Sequence, residues 1–123
     1  MPSTLHDRAL TESIIGAFFE VYNVLGTGFL EACYSRAMAV ELKSRGHEVA
    51  PEAPVDIHYK GTRIGFHRID LLVDQNVVVE IKASDLLAKN AEKQLLHYLK
   101  GSGLRVGLLL HFGPEPKFFR RVL

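Results

Sequence analysis

The chain has 123 residues, 47% of them hydrophobic and 24% charged, with no Trp, one Cys and a formal net charge of +1. A unit of this length buries roughly two-thirds of the surface its unfolded chain exposes, so a core needs neither a disulfide nor a structural metal, and Cys33 has no second cysteine to pair with. The first dozen residues are polar and include acids, and no apolar run approaches the ~18 residues of a membrane span, so the expectation is a single cytoplasmic domain over 1–123 with no signal peptide and no membrane partner.

Apolar residues at Ile14, Phe18, Val21, Tyr22 and Leu25 recur at helical spacing, which predicts a first helix over Leu5–Leu25 stopped by Gly26. Leu30, Cys33, Tyr34, Ala37 and Leu42 form a second stripe, predicting a helix over 30–45 that ends at Gly46, with Cys33 a buried small residue. The period then becomes two. Val55, Ile57 and Tyr59 alternate with polar residues, Lys60-Gly61 makes a turn, and Ile64, Phe66 and the run 69–73 continue the pattern. Asp74-Gln75-Asn76 interrupts it before 77–83, so three antiparallel strands in a meander are expected. Ser84 or Asp85 can cap a third helix reaching Lys100, with Gly101 and Gly103 as stops. The apolar run Val106–Phe112 suits a strand buried on both faces, and 118–123 can add a last short strand.

The two halves differ in charge. Residues 1–61 carry eight acids and five bases, and residues 62–123 carry six acids and ten bases, so a basic binding face stands as an alternative to ordinary scatter on a solvated surface.

Chemistry concentrates in the second hairpin. A three-residue loop with Asn76 in the left-handed position sets Val73 opposite Val77, and the same register sets Asp70 opposite Glu80. Directly opposed Cβ atoms lie about 5 Å apart, a spacing at which like charges destabilise a sheet unless something bridges them or one is protonated. A divalent cation with hard oxygen ligands, Mg²⁺ or Mn²⁺, would be such a bridge. Lys82 shares a strand face with Glu80 and adds an ammonium able to orient a water or stabilise growing negative charge. An ordinary salt-bridged sheet surface is the competing reading of Asp70, Glu80 and Lys82.

Five segments together carry a resemblance: Gly28-x-x-Glu31-x-x-Tyr34, Arg68-Ile69-Asp70-Leu71-Leu72-Val73, Glu80-Ile81-Lys82-Ala83, Gln94-x-x-x-Tyr98 and the run 104–110. In this order they resemble the GxxExxY family, a branch of the PD-(D/E)XK nuclease-like superfamily, over residues 14–123. The resemblance implies an α/β fold with a restriction-endonuclease-like α-β-β-β-α-β core, an extra N-terminal helix and a mixed sheet flanked by helices. It implies Asp70 and Glu80 as metal ligands, Lys82 as the catalytic lysine, the Ile81 carbonyl as a further ligand and Glu31 as an acid approaching the metal or its water. Gln94 and Tyr98 correspond to helix residues on the nucleic-acid side of the site. Ile69 stands where the superfamily's name has proline.

Lys89, Lys93, His97 and Lys100 follow helical offsets beside Gln94 and Tyr98 and are candidates for phosphate contact. The alternative packs Tyr98 with Leu95 and Leu99 on the sheet and leaves the lysines to solvent. Tyr34 is expected in the core with its hydroxyl bonded locally, Gly28 at a backbone turn, and His67 on the strand face opposite Asp70, away from any metal. No HExxH, CxxC or phosphate-binding glycine loop occurs. The resulting expectation is a Mg²⁺-dependent phosphodiesterase acting on DNA, less readily on RNA, and working as a homodimer. The rivals are a non-catalytic nucleic-acid-binding or protein-interaction module on the same scaffold, and a hydrolase of small phosphate esters.

Overall fold

A computed structural model describes residues 5–123; residues 1–4, the start of the polar first dozen, lie outside the described residues. Two helices, α1 (Leu5–Leu25) and α2 (Glu31–Ser44), precede three strands, β1 (Val49–Tyr59), β2 (Thr62–Val73) and β3 (Val77–Lys82). Helix α3 (Ala91–Ser102) then crosses to β4 (Val106–Phe112), and β5 (Pro116–Val122) closes the chain. The sheet order is β1-β2-β3-β4-β5, with only the β3–β4 pair parallel. This is the mixed sheet flanked by helices that a restriction-endonuclease-like fold requires, and no described helix is long and apolar enough to cross a membrane.

Burial explains the patterns. α1 and α2 cover one face of the sheet, where Ile14, Phe18, Tyr34 and Met38 meet Leu71, Val79, Leu108 and Phe112. α3 covers the other, where Leu95 and Leu99 meet Ala53, Val55, Ile69, Val78 and Leu109. β3 and β4 lie between two helical layers, so their sequences are near-continuous apolar runs instead of alternating ones.

Tyr34 is fully buried, stacks on Phe112 with centroids 4.2 Å apart, and donates its hydroxyl proton to the Gly26 carbonyl at 2.6 Å. The same oxygen accepts the Phe29 N–H at 3.3 Å, so one phenol organises the turn into α2, where Gly28 sits at φ +102.

Several boundaries depart from the sequence expectation for local reasons. β1 starts at Val49, well before Val55, and carries Pro51 and Pro54; as an edge strand it tolerates residues that cannot donate to a ladder on both sides. α3 starts at Ala91 because Ser84 spends its hydroxyl on the Leu86 carbonyl at 2.5 Å, and its own carbonyl faces His111 Nε2 at 2.6 Å, so it caps no helix. Gly101 does not stop α3 but lies inside it, where a Cβ would meet Ile57 at 2.8 Å; Gly103, at φ +80, is the stop. In the β2–β3 loop Asp74 and Gln75 take the left-handed positions, at φ 51 and 59, and Asn76 does not. Cys33 is exposed, and Met38 takes the buried place on α2.

Replacing Tyr34 by Phe leaves the Gly26 carbonyl without its donor and the Phe29 N–H without its acceptor. The expected loss is about 1–2 kcal/mol of unfolding free energy in a urea titration, with the fold retained.

Candidate functional site

The β2–β3 ladder pairs Val73 with Val77, Leu72 with Val78 and Leu71 with Val79, the register expected from the loop, and there it stops. At the next step the strands part, and the Asp70 carboxylate bridges the opening: its Oδ2 accepts the Ile81 backbone N–H at 2.7 Å. A side chain thus stands in for a main-chain acceptor. On the other side of β2 the pairing with β1 skips Glu52 and Asp70, and Glu52 has φ 50. This irregularity changes the face that successive side chains address: Ile69 packs under α3, whereas Leu71 packs under α1 and α2.

Asp70 therefore serves both sides of the sheet. With Glu31 and Glu52 it lines an open cleft of about 480 Å³ beside α2, whose walls also carry Arg36 and Lys43. It also borders Glu80, a residue only 7% exposed. Burial first, and the neighbouring Asp70 charge second, raise the Glu80 pKa to about 8, with Lys82 pulling the other way. Glu80 Oε1 is buried without a hydrogen-bond partner.

The face change at Asp70 also corrects the expectation for His67. Simple alternation along β2 sets it away from the acids, but across the irregularity it addresses the same side as Glu80, and its Nε2 lies 3.7 Å from Glu80 Oε1. That separation exceeds a hydrogen bond, and His67 Nε2 is itself buried without a partner. The imidazole stacks on Tyr98 at 3.7 Å between centroids and 10° between planes. Burial depresses the His67 pKa against the pull of Asp70, and burial together with the Glu80 charge raises that of the Tyr98 phenol.

The structure thus gathers Asp70, Glu80, Lys82, His67 and Tyr98 around the open end of the hairpin and sets Glu31 across the cleft from Asp70. Ile81 contributes its N–H to Asp70 while its side chain is in the core. Gln94, Lys93 and Lys100 are exposed on α3, but Lys89 lies in the loop before the helix, so the four-member basic stripe is not formed. His67 and Glu52 escaped the sequence reading because their placement depends on an irregularity that alternation does not reveal.

In the metal-free protein Glu80 keeps its proton to about pH 8 when folded but ionises near the ordinary glutamate value of 4.5 when unfolded. The stability associated with the neutral carboxyl is complete below pH 4.5 and is lost as pH rises toward 8. Glu80→Gln removes that loss. The variant is expected to match the parent near pH 4.5 and to exceed it above pH 8 by on the order of 1–3 kcal/mol, read from chelator-treated thermal melts across this range.

No curated protein matches the chain. One similar solved structure is the crystal structure of SSO0001, 18% identical over 94% of this chain and 62% of that one, with a TM-score of 0.47; the chain spans under two-thirds of that protein's length. Residues 8–122 match the PD-(D/E)XK nuclease superfamily, and the chain belongs to that superfamily.

Proposed function

We propose that the protein is a Mg²⁺- or Mn²⁺-dependent nuclease that hydrolyses phosphodiester bonds in DNA, less readily in RNA, with its site at the open end of the β2–β3 hairpin. The observation that carries this reading is the buried Glu80 Oε1, left without a partner beside a second carboxylate. An acid so placed either stays protonated or meets a cation. Among the described residues no group of three or more His, Cys, Asp or Glu forms a protein cage. The oxygen donors here suit instead a hard cation that keeps several waters and takes only one or two carboxylates from the protein.

In this reading Asp70 and Glu80 hold the ion, the Ile81 carbonyl is a further ligand, and Glu31 reaches the ion or its water from across the cleft. A bound ion would lower the pKa of a coordinated water and polarise the scissile phosphate. Lys82 orients that water and stabilises the negative charge that develops on the phosphoryl oxygens. The Asp70 bond to the Ile81 N–H fixes its carboxylate, leaving Oδ1 for the site. Gln94 and Tyr98 touch the substrate, with Lys93, Lys100 and the loop residue Lys89 contributing charge nearby.

The GxxExxY motif series supports placing the chain in that branch, as one nuclease-like domain over 1–123. Its small size supports action as a homodimer, and a lone exposed Cys33 suits the reducing cytoplasm.

The test incubates labelled single-stranded, double-stranded and branched DNA with the protein and Mg²⁺ or Mn²⁺. Cleavage is expected to fall by about two orders of magnitude or more in Lys82→Ala. Calorimetry is expected to detect Mn²⁺ uptake that Asp70→Asn and Glu80→Gln each abolish. Cleavage unchanged in Lys82→Ala overturns the assignment, and metal-independent binding without cleavage assigns the chain to the non-catalytic scaffold. Light scattering after gel filtration is expected to return twice the mass of the 13.8 kDa chain, and a strict monomer removes the dimer.

A further inference from the structure

Beyond Asp70, β1 and β2 continue without β3 as a two-stranded arm that reverses at Lys60-Gly61. Its two faces differ. Ala53, Val55 and Ile69 point under α3 and are buried, whereas Phe66 and Arg68 point to the side that α2 leaves open. Phe66 is 51% exposed, and two guanidinium groups approach its ring, Arg63 at 5.3 Å and Arg68 at 5.8 Å from the centroid. Asp70, two residues past Arg68 on the same side of β2, opens onto the cleft that Glu31 lines.

We propose that this face of the arm is a docking surface for single-stranded nucleic acid, with one base stacked on Phe66 and flanking phosphates on Arg63 and Arg68. The strand then runs toward Asp70. The identity rests on the nuclease reading of the adjoining site, and three features of the arm itself support it. An aromatic ring held half in water offers a stacking platform, and a base supplies a matching apolar face. Residues 54–68 contain Lys60, Arg63 and Arg68 against the single acid Asp56, a net charge of +2 that complements a polyanion. Arg63 is tied to Asp56 at 2.9 Å, an exposed pair that a phosphate can replace, while Arg68 has no carboxylate partner among the described residues. A duplex keeps its bases stacked on each other and has no free face for Phe66, so the arm selects unpaired strand.

Binding is measured by fluorescence anisotropy of labelled oligothymidylate and of a hairpin duplex of equal charge, with the full chain in EDTA so that neither metal nor turnover contributes. Single strand is expected to bind more tightly than duplex. Phe66→Ala is expected to weaken single-strand binding by about 5- to 100-fold, and Phe66→Tyr to retain it. Arg68→Gln is expected to weaken binding and lower the salt slope by about 0.7. Val24→Ala, a change at an exposed apolar residue on α1, is expected to bind like the parent. Duplex binding as tight as single-strand binding, or parental affinity in Phe66→Ala, overturns the proposal. The two readings fail separately. Cleavage in Mg²⁺ with an unaltered Phe66→Ala affinity removes the arm alone, and Phe66-dependent binding with no cleavage of any substrate removes the nuclease alone.

Discussion

The geometry of the site depends on one hydrogen bond, from the Ile81 N–H to Asp70 Oδ2. An antiparallel hairpin that continued its ladder past Leu71 and Val79 would satisfy the main chain internally and leave two acids side by side. Here the strands part, and Asp70 meets the orphaned donor with its side chain. The bond compensates a backbone group that would otherwise be buried unpaired, holds the carboxylate against Glu80, and frees β2 to continue as an arm. The irregularity opposite, at Glu52, has the same origin: both strands turn their side chains to the other layer at this point.

Glu31 is positioned through packing. α2 lies against the sheet through Tyr34, Met38 and Leu42, and its first turn is set by the Tyr34 hydroxyl holding Gly26 and Phe29. Tyr34 in turn shares Phe112 with Phe18, which meets that ring edge-on at 4.8 Å. The β4 terminus, α1 and the start of α2 are thereby joined through three aromatic rings, and the acid at the first position of α2 is delivered to the cleft by a rigid support.

Much of this was legible in the sequence. The spacing of Ile14, Phe18 and Val21, the Lys60-Gly61 turn, the register of Val73 with Val77 and the doubly buried Val106–Phe112 strand follow from periodicity and turn chemistry, which act locally. What escaped depends on tertiary context. The first half of β1 was hidden by prolines that only an edge strand accepts, and the start of α3 by a serine whose hydroxyl bonds within its own loop. Met38 continues the buried Tyr34–Leu42 stripe at i+4 spacing, whereas Cys33 lies about 140° round the helix from Met38, so the sheet that covers that stripe leaves Cys33 exposed. For the candidate site, the spacing of Asp70, Glu80 and Lys82 left a salt-bridged surface as a competing reading and the motif resemblance was what singled them out, whereas His67 was missed because strict alternation does not survive the break at Asp70.

Glu52, turned into the cleft by its left-handed backbone, has a consequence for the order of events. The floor between α2 and β2 carries three carboxylates, Glu31, Glu52 and Asp70, while the adjoining arm is cationic. A polyanion resting on the arm would meet these carboxylates as it advanced inward, a repulsion that Arg36 and Lys43 on the cleft walls offset in part and that bound cations would lower further. Under the proposed nuclease reading, this charge layout would couple ion loading to strand entry with no moving part.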